Sequence, residues 1–236
     1  SIIVAVGGDG SVNEVAQGMI ASSATLAIIP AGSGNGFARY FNIPTDPKKA
    51  IEVINSQHEK WIDTVKINQE SYLGVAGIGF DADVSSIFAD FGKRGFTSYI
   101  RIVVTELQKY EPKEYELIID GVPLKKKAFL ICFANTNQYG NNAYIAPNAK
   151  IDDGFLDILI LKEFPKIAIP KLIHELFNNQ LDHSKYTETI RCQDVIIKKP
   201  LYRIHFDGEP AHFDEDVYIR ILPSSLKIIT PESTPN

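Results

Sequence analysis

Two glycine-rich turns hold the residues whose types and spacing could do chemistry. The first spans residues 7–11 and reads Gly-Gly-Asp-Gly-Ser, directly after the apolar run at residues 2–6. Glycine lets a ligand approach the backbone closely, and a helix that follows such a turn offers unpaired N–H groups and a positive dipole end. The pattern predicts a phosphate-binding turn, with a ligand-free strand-to-helix turn as the alternative.

Asp9 is the acidic residue inside this first turn. A carboxylate repels phosphate unless a cation or a proton transfer is involved, so we expect Asp9 to act beside Mg²⁺ or as an acid–base group. The spacing of Ser11 and Glu14 is typical of a capping box. It predicts that the following helix begins at Ser11.

The second turn lies at residues 30–36 and repeats this logic with Gly32, Ser33, Gly34 and Asn35. Its hydroxyl and its side-chain amide could donate hydrogen bonds to phosphate oxygens. Neither turn is a Walker A loop, because no Gly-Lys-Ser/Thr follows, and neither fits the Gly-x-Gly-x-x-Gly dinucleotide pattern. The two turns together predict a nucleotide phosphate site of another kind.

Each turn needs a strand before it and a helix after it. Apolar runs predict strands at residues 2–6, covered on both faces, and 26–29. Helical spacing follows at residues 36–41 and 49–55. This order is typical of a parallel α/β layer, and we expect residues 1–60 to form a partial α/β nucleotide-binding domain.

The remaining residues, 61–236, have the alternating pattern of antiparallel β-structure. Strands are expected at residues 62–67, 72–77, 115–119, 129–134, 156–161 and 217–222. Helical spacing interrupts them at residues 81–91, 97–110 and 167–177. We therefore expect a mainly antiparallel β-sandwich domain with inserted helices, whose last strand can return to the first domain.

Composition narrows the function classes. The net charge of the 236 residues is −5, so no overall positive field exists to attract nucleic acid. No apolar run reaches the roughly 18–20 residues of a membrane-spanning helix. Cys132 and Cys192 are too few for a disulfide framework and fit buried thiols in a reducing cytoplasm. Because the chain opens directly on a strand, we expect the first domain to be truncated at its N-terminus.

The two motifs occur together in a known family. GGDGSVNEV at residues 7–15 and PAGSGNGFAR at residues 30–39 resemble the catalytic domain of the diacylglycerol kinase family, which includes soluble bacterial lipid kinases, ceramide kinases and sphingosine kinases. Further matches lie at residues 62–63, 77–81, 150–154 and 207–209. The resemblance implies an NAD-kinase-like α/β domain joined to a β-sandwich, with the active site in the cleft between them.

The resemblance also implies catalytic residues. Asp207 matches the general base that takes the proton from a lipid hydroxyl as it attacks the γ-phosphate of ATP, with Glu209 close by. Asp9 is the rival for this role, as in the sphingosine kinase branch. From local signals alone, Asp207 and Gly208 would form an ordinary hairpin turn between two strands.

A Mg²⁺ site in the second domain follows from the same resemblance. The matching ligands are the Asp153 carboxylate and the backbone carbonyls of Lys150 and Phe155, a hard oxygen set that suits Mg²⁺. Asp63 matches a carboxylate that links this metal to the nucleotide through water. A second linking carboxylate is replaced here by Gly36, which favours the sphingosine kinase branch. Local signals alone predict no more than a turn around Asp153.

We therefore expect ATP and Mg²⁺ as cofactors and a lipid substrate at the membrane surface. The residues expected to contact the nucleotide are Gly7, Gly8, Asp9, Gly10, Ser11, Val12, Asn13, Gly32, Ser33, Gly34 and Asn35. The protein is expected to be cytoplasmic and to associate peripherally with the membrane. Both a monomer and a homodimer are compatible with the sequence.

Two other functions compete with the lipid kinase. An NAD kinase-like enzyme shares the first turn, but the Val-Asn-Glu sequence after it and the second motif fit lipid kinases better. The other alternative is a truncated chain that binds a nucleotide or lipid without turnover. A zinc site at His205 and His212 is disfavoured, because no third ligand lies at suitable spacing.

Basic and apolar surface segments could also meet a lipid. The lysines at residues 125–127 and the pair at residues 93–94 could attract anionic headgroups, although a solvated face is the simpler interpretation. The apolar positions at residues 88–96 and 100–107 could shape a lipid groove, although core packing explains them equally well.

Overall fold

A computed structural model of the chain describes residues 1–90, 103, 105–107, 109–199 and 203–232. The strands are β1 (Ile2–Gly7), β2 (Thr25–Pro30), β3 (Glu59–Ile67), β4 (Glu70–Tyr72), β5 (Val75–Gly79), β6 (Lys113–Ile119), β7 (Val122–Ala128), β8 (Leu130–Ala134), β9 (Leu156–Leu161), β10 (Thr187–Cys192), β11 (Asp194–Ile197), β12 (Ile204–Phe206), β13 (Glu209–Ala211) and β14 (Val217–Ile229). The helices are α1 (Asp9–Gln17), α2 (Gly36–Tyr40), α3 (Pro47–Ser56), α4 (Phe80–Asp90) and α5 (Ile169–Phe177).

One sheet runs through both parts of the chain. β1 pairs in parallel with β2, and the end of β14 lies parallel beside β2. β14 also pairs antiparallel with β3 over most of its length, and the sheet continues through β11 and β6 to β7. The long ladder between β3 and β14 therefore joins the α/β layer to the β-rich part.

A second sheet completes the sandwich. Its strand order is β10-β9-β8-β5-β12-β13, with antiparallel pairing throughout. Buried and exposed side chains alternate along β14. Val217, Ile219 and Ile221 point into the core between the sheets, and Tyr218 is exposed. β8 and β9 are instead buried on both faces, because α4, α5 and neighbouring loops cover the outer side of their sheet. This double coverage explains their continuous apolar sequences.

The helices of the α/β layer pack on a separate core. Leu26 and Ile28 of β2 lie against Ala16 of α1 and Phe41 after α2. α3 begins where the Asp46 side chain accepts a hydrogen bond from Lys49 N at 3.0 Å, with proline at its first position. This packing fixes the directions in which α1 and α2 leave the sheet.

The prediction of an α/β layer followed by a β-sandwich with inserted helices is confirmed. Strands and helices occur close to the predicted positions in both parts of the described chain. The strands β7, β10 and β11 were not predicted, and β12 and β13 were expected only as the two strands beside a hairpin turn at Asp207 and Gly208. The predicted helix at 97–110 lies largely outside the described residues, although positions 103 and 105–107 are helical. The apolar segment at 88–96 and the basic pair at 93–94 also fall outside the described side chains.

Two local predictions were wrong. β1 was expected to be covered on both faces, but it is an edge strand, and Ile2, Ile3, Val4 and Val6 are 41–63% exposed. α1 was expected to begin at a Ser11 capping box, but it begins at Asp9, and its N-cap residue makes no side-chain hydrogen bond. The backbone of the N-cap residue Gly8 is extended, with φ −90° and ψ −172°, and helical geometry begins at the next residue.

Cys132 and Cys192 are both buried, unpaired thiols, as the sequence predicted. Burial raises the pKa of the Cys192 thiol to about 12, so it stays protonated. No helix in the described ranges combines the length and the apolar character needed to cross a bilayer.

Gly79 provides a test of the sandwich. Its φ is +98°, and an added Cβ would lie 2.7 Å from the Phe129 carbonyl oxygen. We expect Gly79→Ala to lower the free energy of unfolding by about 3 kcal/mol, because strain and a backbone clash act together. The matched control is Gly121→Ala, at φ +81° with open space around it, which should cost about 1–2 kcal/mol. Denaturant unfolding measures both, and equal losses would contradict the close approach.

Candidate active site

The two glycine turns lie against each other at the carboxyl ends of β1 and β2. An added Cβ on Gly32 would come within 2.4 Å of the Gly8 Cα, and one on Gly7 within 2.6 Å of the Ser11 Cβ. Ala31 N also donates to the Gly7 carbonyl at 2.8 Å. Since side chains cannot fit at these contacts, the two turns form one compact unit.

Asp9 fastens this unit to α2. Its carboxylate oxygens accept hydrogen bonds from the N–H groups of Gly36 and Phe37, each at 3.0 Å. These are two of the unpaired N–H groups at the start of α2, where a carboxylate is favourable. The N-terminus of α1 has no such side-chain cap. Of the two helix ends, α1 is therefore the one left to meet an anion.

Asn35 closes the second turn from within. Its side-chain oxygen accepts from Gly32 N at 2.8 Å, and its side-chain nitrogen donates to the Gly32 carbonyl at 2.8 Å. The side chain is buried, and the backbone has φ +51°. The structure thus places this amide inside the turn, where the sequence suggested a donor to phosphate. Ser33 is exposed and Gly34 half-buried, so these two residues face outward.

Val12 and Asn13, which are expected to contact a nucleotide, have side chains that turn inward. The Val12 N–H donates to the Gly8 carbonyl at 3.0 Å within α1, and its side chain lies in the core. The Asn13 side chain is buried and donates to the Ser71 carbonyl at 3.4 Å. Both residues point into the domain because α1 buries this face, so they position the first turn from behind.

Asp207 lies at the tip of the hairpin between β12 and β13. Its φ of +48° and that of Gly208, +86°, are those of a tight hairpin turn, as local signals predicted. Its carboxylate accepts hydrogen bonds from three consecutive N–H groups, of Leu73 at 2.9 Å, Gly74 at 2.9 Å and Val75 at 3.1 Å. The turn is therefore an anchored carboxylate and not only a chain reversal.

Desolvation raises the pKa of the Asp207 carboxyl to about 6. The three backbone N–H groups oppose this rise, and the negative charge of Asp9 adds to it. The same hairpin carries Glu209, whose Oε1 would lie 3.4 Å from a Cβ on Gly10. The structure thus brings Asp207 and Glu209 to the first glycine turn, across the gap between the two parts of the chain.

Asp63 is buried where β3 crosses between the two cores. Its carboxylate accepts hydrogen bonds from Gly154 N and Ser224 N, both at 2.7 Å. Ser224 lies at the irregularity in β14 between Leu222 and Leu226. Asp63 therefore ties the loop at residues 150–155 to the bulge in β14.

The expected Mg²⁺ ligands lie on this loop. The Asp153 carboxylate contacts the Arg191 guanidinium and accepts from Phe155 N at 3.1 Å. Nearby, Asp157 is 3% exposed, and its Oδ2 has no hydrogen-bond partner among the described residues. The described chain gathers no group of three or more Asp, Glu, His or Cys side chains suited to a metal. Lys60 lies 2.8 Å from Asp152 and Arg191 contacts Asp153, so the buried Asp157 oxygen is the acceptor that a hard cation would fit.

The two histidines have different surroundings. His205 is buried and 3.1 Å from Asp81, whereas His212 is exposed and 3.0 Å from Asp214.

An open groove of about 520 Å³ lies beside the hairpin. It is lined by Ser86, Arg203, Pro210, Ala211 and His212.

The lysines at residues 125–127 are each paired with an acidic side chain. Lys125 lies 3.2 Å from Glu116, Lys126 lies 2.8 Å from Glu188, and Lys127 lies 2.9 Å from Glu163. The segment is therefore a solvated, largely neutralised face.

Sequence reasoning missed the residues that hold Asp207 in place. An added Cβ on Gly74 would lie 2.8 Å from Asp207 Oδ1, so this glycine makes room for the carboxylate. Asn135 is fully buried and donates to the carbonyls of Leu73 at 2.7 Å and Asp63 at 3.0 Å. Asn135 directly follows the apolar strand β8, and this position was the signal in the sequence that could have identified it.

Two family descriptions match nearly the whole chain. Residues 1–67 match the diacylglycerol kinase catalytic domain. Residues 74–230 match the YegS C-terminal NAD kinase beta sandwich-like domain, and this match alone covers more than half of the chain.

Curated relatives agree with these matches. A diacylglycerol kinase of Mycobacterium tuberculosis is 30% identical over 97% of this chain and 76% of its own length. A diacylglycerol kinase of Bacillus subtilis is 31% identical over 88% of this chain and 71% of its own length.

Solved structures share the fold. A diacylglycerol kinase from Bacillus anthracis superposes with a TM-score of 0.74 at 22% identity, over 99% of this chain and 78% of that one. An NAD kinase from Archaeoglobus fulgidus, solved with ATP, gives 0.53 at 13% identity over 98% and 78%. At these identities the likeness shows the fold alone. On the family matches and the curated relatives, the chain belongs to the diacylglycerol kinase family and is a lipid kinase, a phosphotransferase.

Proposed function

We propose that the chain transfers the γ-phosphate of ATP to a hydroxyl group of diacylglycerol or a related lipid. The observation that carries this proposal is the anchored Asp207, which faces the first glycine turn with a pKa raised to about 6. The names of the curated relatives support diacylglycerol as the lipid class. The membrane surface, where such a lipid is found, is the proposed place of action.

The two turns supply the phosphate site in this proposal. The uncapped N-terminus of α1 offers N–H groups and the positive end of its dipole to the ATP phosphates. Ser33 and Gly34 approach from the second turn. Phosphoryl transfer depends mainly on positioning and charge neutralisation, so a rigid pair of turns is well suited to it.

Asp207 is proposed as the base. Its carboxylate takes the proton from the lipid hydroxyl, the hydroxyl oxygen bonds to the γ-phosphorus, and the bond to the leaving ADP oxygen breaks. Both Asp207 and its rival Asp9 accept backbone hydrogen bonds. The raised pKa favours Asp207, because a base is most effective when its pKa lies near the working pH.

Mg²⁺ is proposed to bind at the loop of residues 150–155, through Asp153 and the carbonyls of Lys150 and Phe155, with Asp63 behind it. When bound, this ion supplies positive charge beside Asp153 and Asp157. Asp63 holds the loop through Gly154, so the loop keeps its place next to β14.

The groove beside the hairpin is the proposed acceptor site. It is lined by Pro210 and Ala211, which follow Glu209 on the hairpin that carries Asp207. Arg203 and His212 at its edge provide donors for a polar headgroup.

Labelled ATP and Mg²⁺ test this function with separate panels of diacylglycerol, sphingoid bases, phosphatidylglycerol and NAD. We expect label on diacylglycerol or a related lipid. Label on NAD and on no lipid would replace the proposal with an NAD kinase, and bound nucleotide without any product would indicate a binding protein.

Gly32→Ala tests the contact between the turns. The new Cβ would overlap the Gly8 Cα, so the turns must separate, and we expect ATP affinity to fall at least about tenfold, as a misplaced site predicts. The control is Gly18→Ala at the end of α1, where an added Cβ meets only an ordinary contact at 3.6 Å. Calorimetric titration measures both, and unchanged affinity in Gly32→Ala would remove the second turn from the nucleotide site.

Asp207→Asn tests the base. We expect turnover to fall about 100-fold or more, because general bases contribute 10²–10⁴-fold, while ATP affinity is retained. Asp216→Asn is the control, since that carboxylate also accepts a backbone hydrogen bond, from Lys199 N at 3.0 Å, but lies outside the site. Wild-type turnover in Asp207→Asn would exclude the base role.

The pH dependence tests the raised pKa. Below about pH 6 the Asp207 carboxyl becomes protonated and cannot accept the hydroxyl proton, so kcat/KM should fall about tenfold per pH unit. An unperturbed aspartate would keep activity down to about pH 4. Rates at saturating Mg²⁺ and ATP across pH 4–8 locate the midpoint. A midpoint near 4 would disagree with burial of this carboxylate.

A further inference from the structure

Two buried side chains and one half-buried tyrosine outside the proposed site contact one another behind it. Asp81 Oδ2 accepts a hydrogen bond from the Tyr139 hydroxyl at 2.7 Å and lies 3.1 Å from His205 Nε2. Asp81 is 5% exposed and His205 is 2% exposed. We call these three residues the Asp81 cluster.

The cluster is fitted to the strands beneath it. His205 of β12 lies opposite Gly77 of β5. An added Cβ on Gly77 would lie 2.0 Å from Asp81 Oδ2, so the carboxylate rests directly on the strand. Gly74 makes the same kind of room for Asp207 three residues earlier. Both carboxylates are thus seated on one short segment of backbone.

The hydrogen bonds of the cluster indicate the tautomer of His205. The Asp81 carboxylate is met by the Tyr139 hydroxyl, by His205 Nε2 and by Ala82 N at 2.9 Å, at the favourable N-terminal end of α4. His205 Nδ1 has no partner in the described part of the chain. A buried N–H without an acceptor is costly, so a proton on Nε2, donated to Asp81, fits this environment better than a proton on Nδ1.

The Asp81 cluster lies next to both the hairpin that carries Asp207 and the second glycine turn. From His205, β12 leads through Phe206 directly to Asp207. On the other side, the Tyr139 carbonyl oxygen lies 2.9 Å from the position of a Cβ on Gly36, and Gly36 N is held by Asp9. The two hydrogen bonds of Asp81 Oδ2, the backbone of β12 and the close packing of Tyr139 on Gly36 together link the hairpin of the base to the second glycine turn.

We propose that Asp81 is a positioning residue for phosphoryl transfer. Through His205 and Tyr139 it sets the separation between Asp207 and the glycine turns. The inference rests on the proposed function, because it takes Asp207 as the base. Misplacing a reacting group by about 1 Å can cost about 100-fold in rate, so a cluster that contacts no substrate can still control turnover.

Tyr139→Phe is the main test, because it removes one hydroxyl and keeps the ring. We expect kcat for lipid phosphorylation to fall about tenfold, with the Kd for ATP within about twofold of wild type. The control is Tyr218→Phe, which removes the hydroxyl of an exposed tyrosine on β14 and should leave kcat unchanged.

A double-mutant cycle and a rescue separate positioning from general stability. Asp81→Asn should lower kcat similarly, and the double variant with Tyr139→Phe should be no slower than the slower single variant, since both break one unit. His205→Gln keeps a donor near the position of Nε2 and should retain more activity than His205→Leu. If Asp81→Asn does not fold, the kcat values of Tyr139→Phe, His205→Gln and His205→Leu still test the positioning role.

Wild-type kcat in Tyr139→Phe, or losses that simply add in the double variant, would overturn the positioning role. A wild-type protein that phosphorylates none of the lipids would instead refute the proposed function. The two failures are therefore distinguishable.

Discussion

Carboxylates that bind backbone N–H groups of distant segments hold this molecule together. Asp9 reaches Gly36 and Phe37, Asp63 reaches Gly154 and Ser224, and Asp207 reaches the three residues that begin at Leu73. Hydrogen bonds to a charged group contribute about 1.5–3 kcal/mol each, more than neutral ones. Loss of such a carboxylate would leave enclosed N–H groups unpaired, so these three residues determine how the loops around the cleft are placed.

The same arrangement combines anchoring of the Asp207 carboxylate with a raised pKa. Three N–H donors stabilise the ionised form of Asp207 and, acting alone, would lower its pKa. Desolvation and the nearby charge of Asp9 outweigh them, and the pKa rises. The side chain is consequently fixed in position and still able to take a proton near neutrality. An exposed turn aspartate would have neither property.

The sequence was sufficient to predict the layers, because long apolar runs and glycine turns are local signals. β8 and β9 were predicted for this reason. The strands β12 and β13 have three residues each, so the Asp-Gly pair between them was their only local signal, and the pairing of β12 with the distant β5 had none.

The site was predictable only in part, for a related reason. The glycine motifs showed which residues meet, but the capping of α2 by Asp9 and the internal bonds of Asn35 depend on contacts that no local pattern encodes.

Gly36 shows how one such contact changes the interpretation of a motif. The family resemblance suggested a carboxylate at this position, and its absence looked like a lost link to the metal. In the structure, an added Cβ would lie 2.9 Å from the Tyr139 carbonyl oxygen and 3.0 Å from Gly140 N. The loop of Tyr139 occupies the space that a side chain would need. The glycine therefore belongs to a direct packing contact between the two parts of the chain, and Asp81 stabilises that contact by binding the Tyr139 hydroxyl.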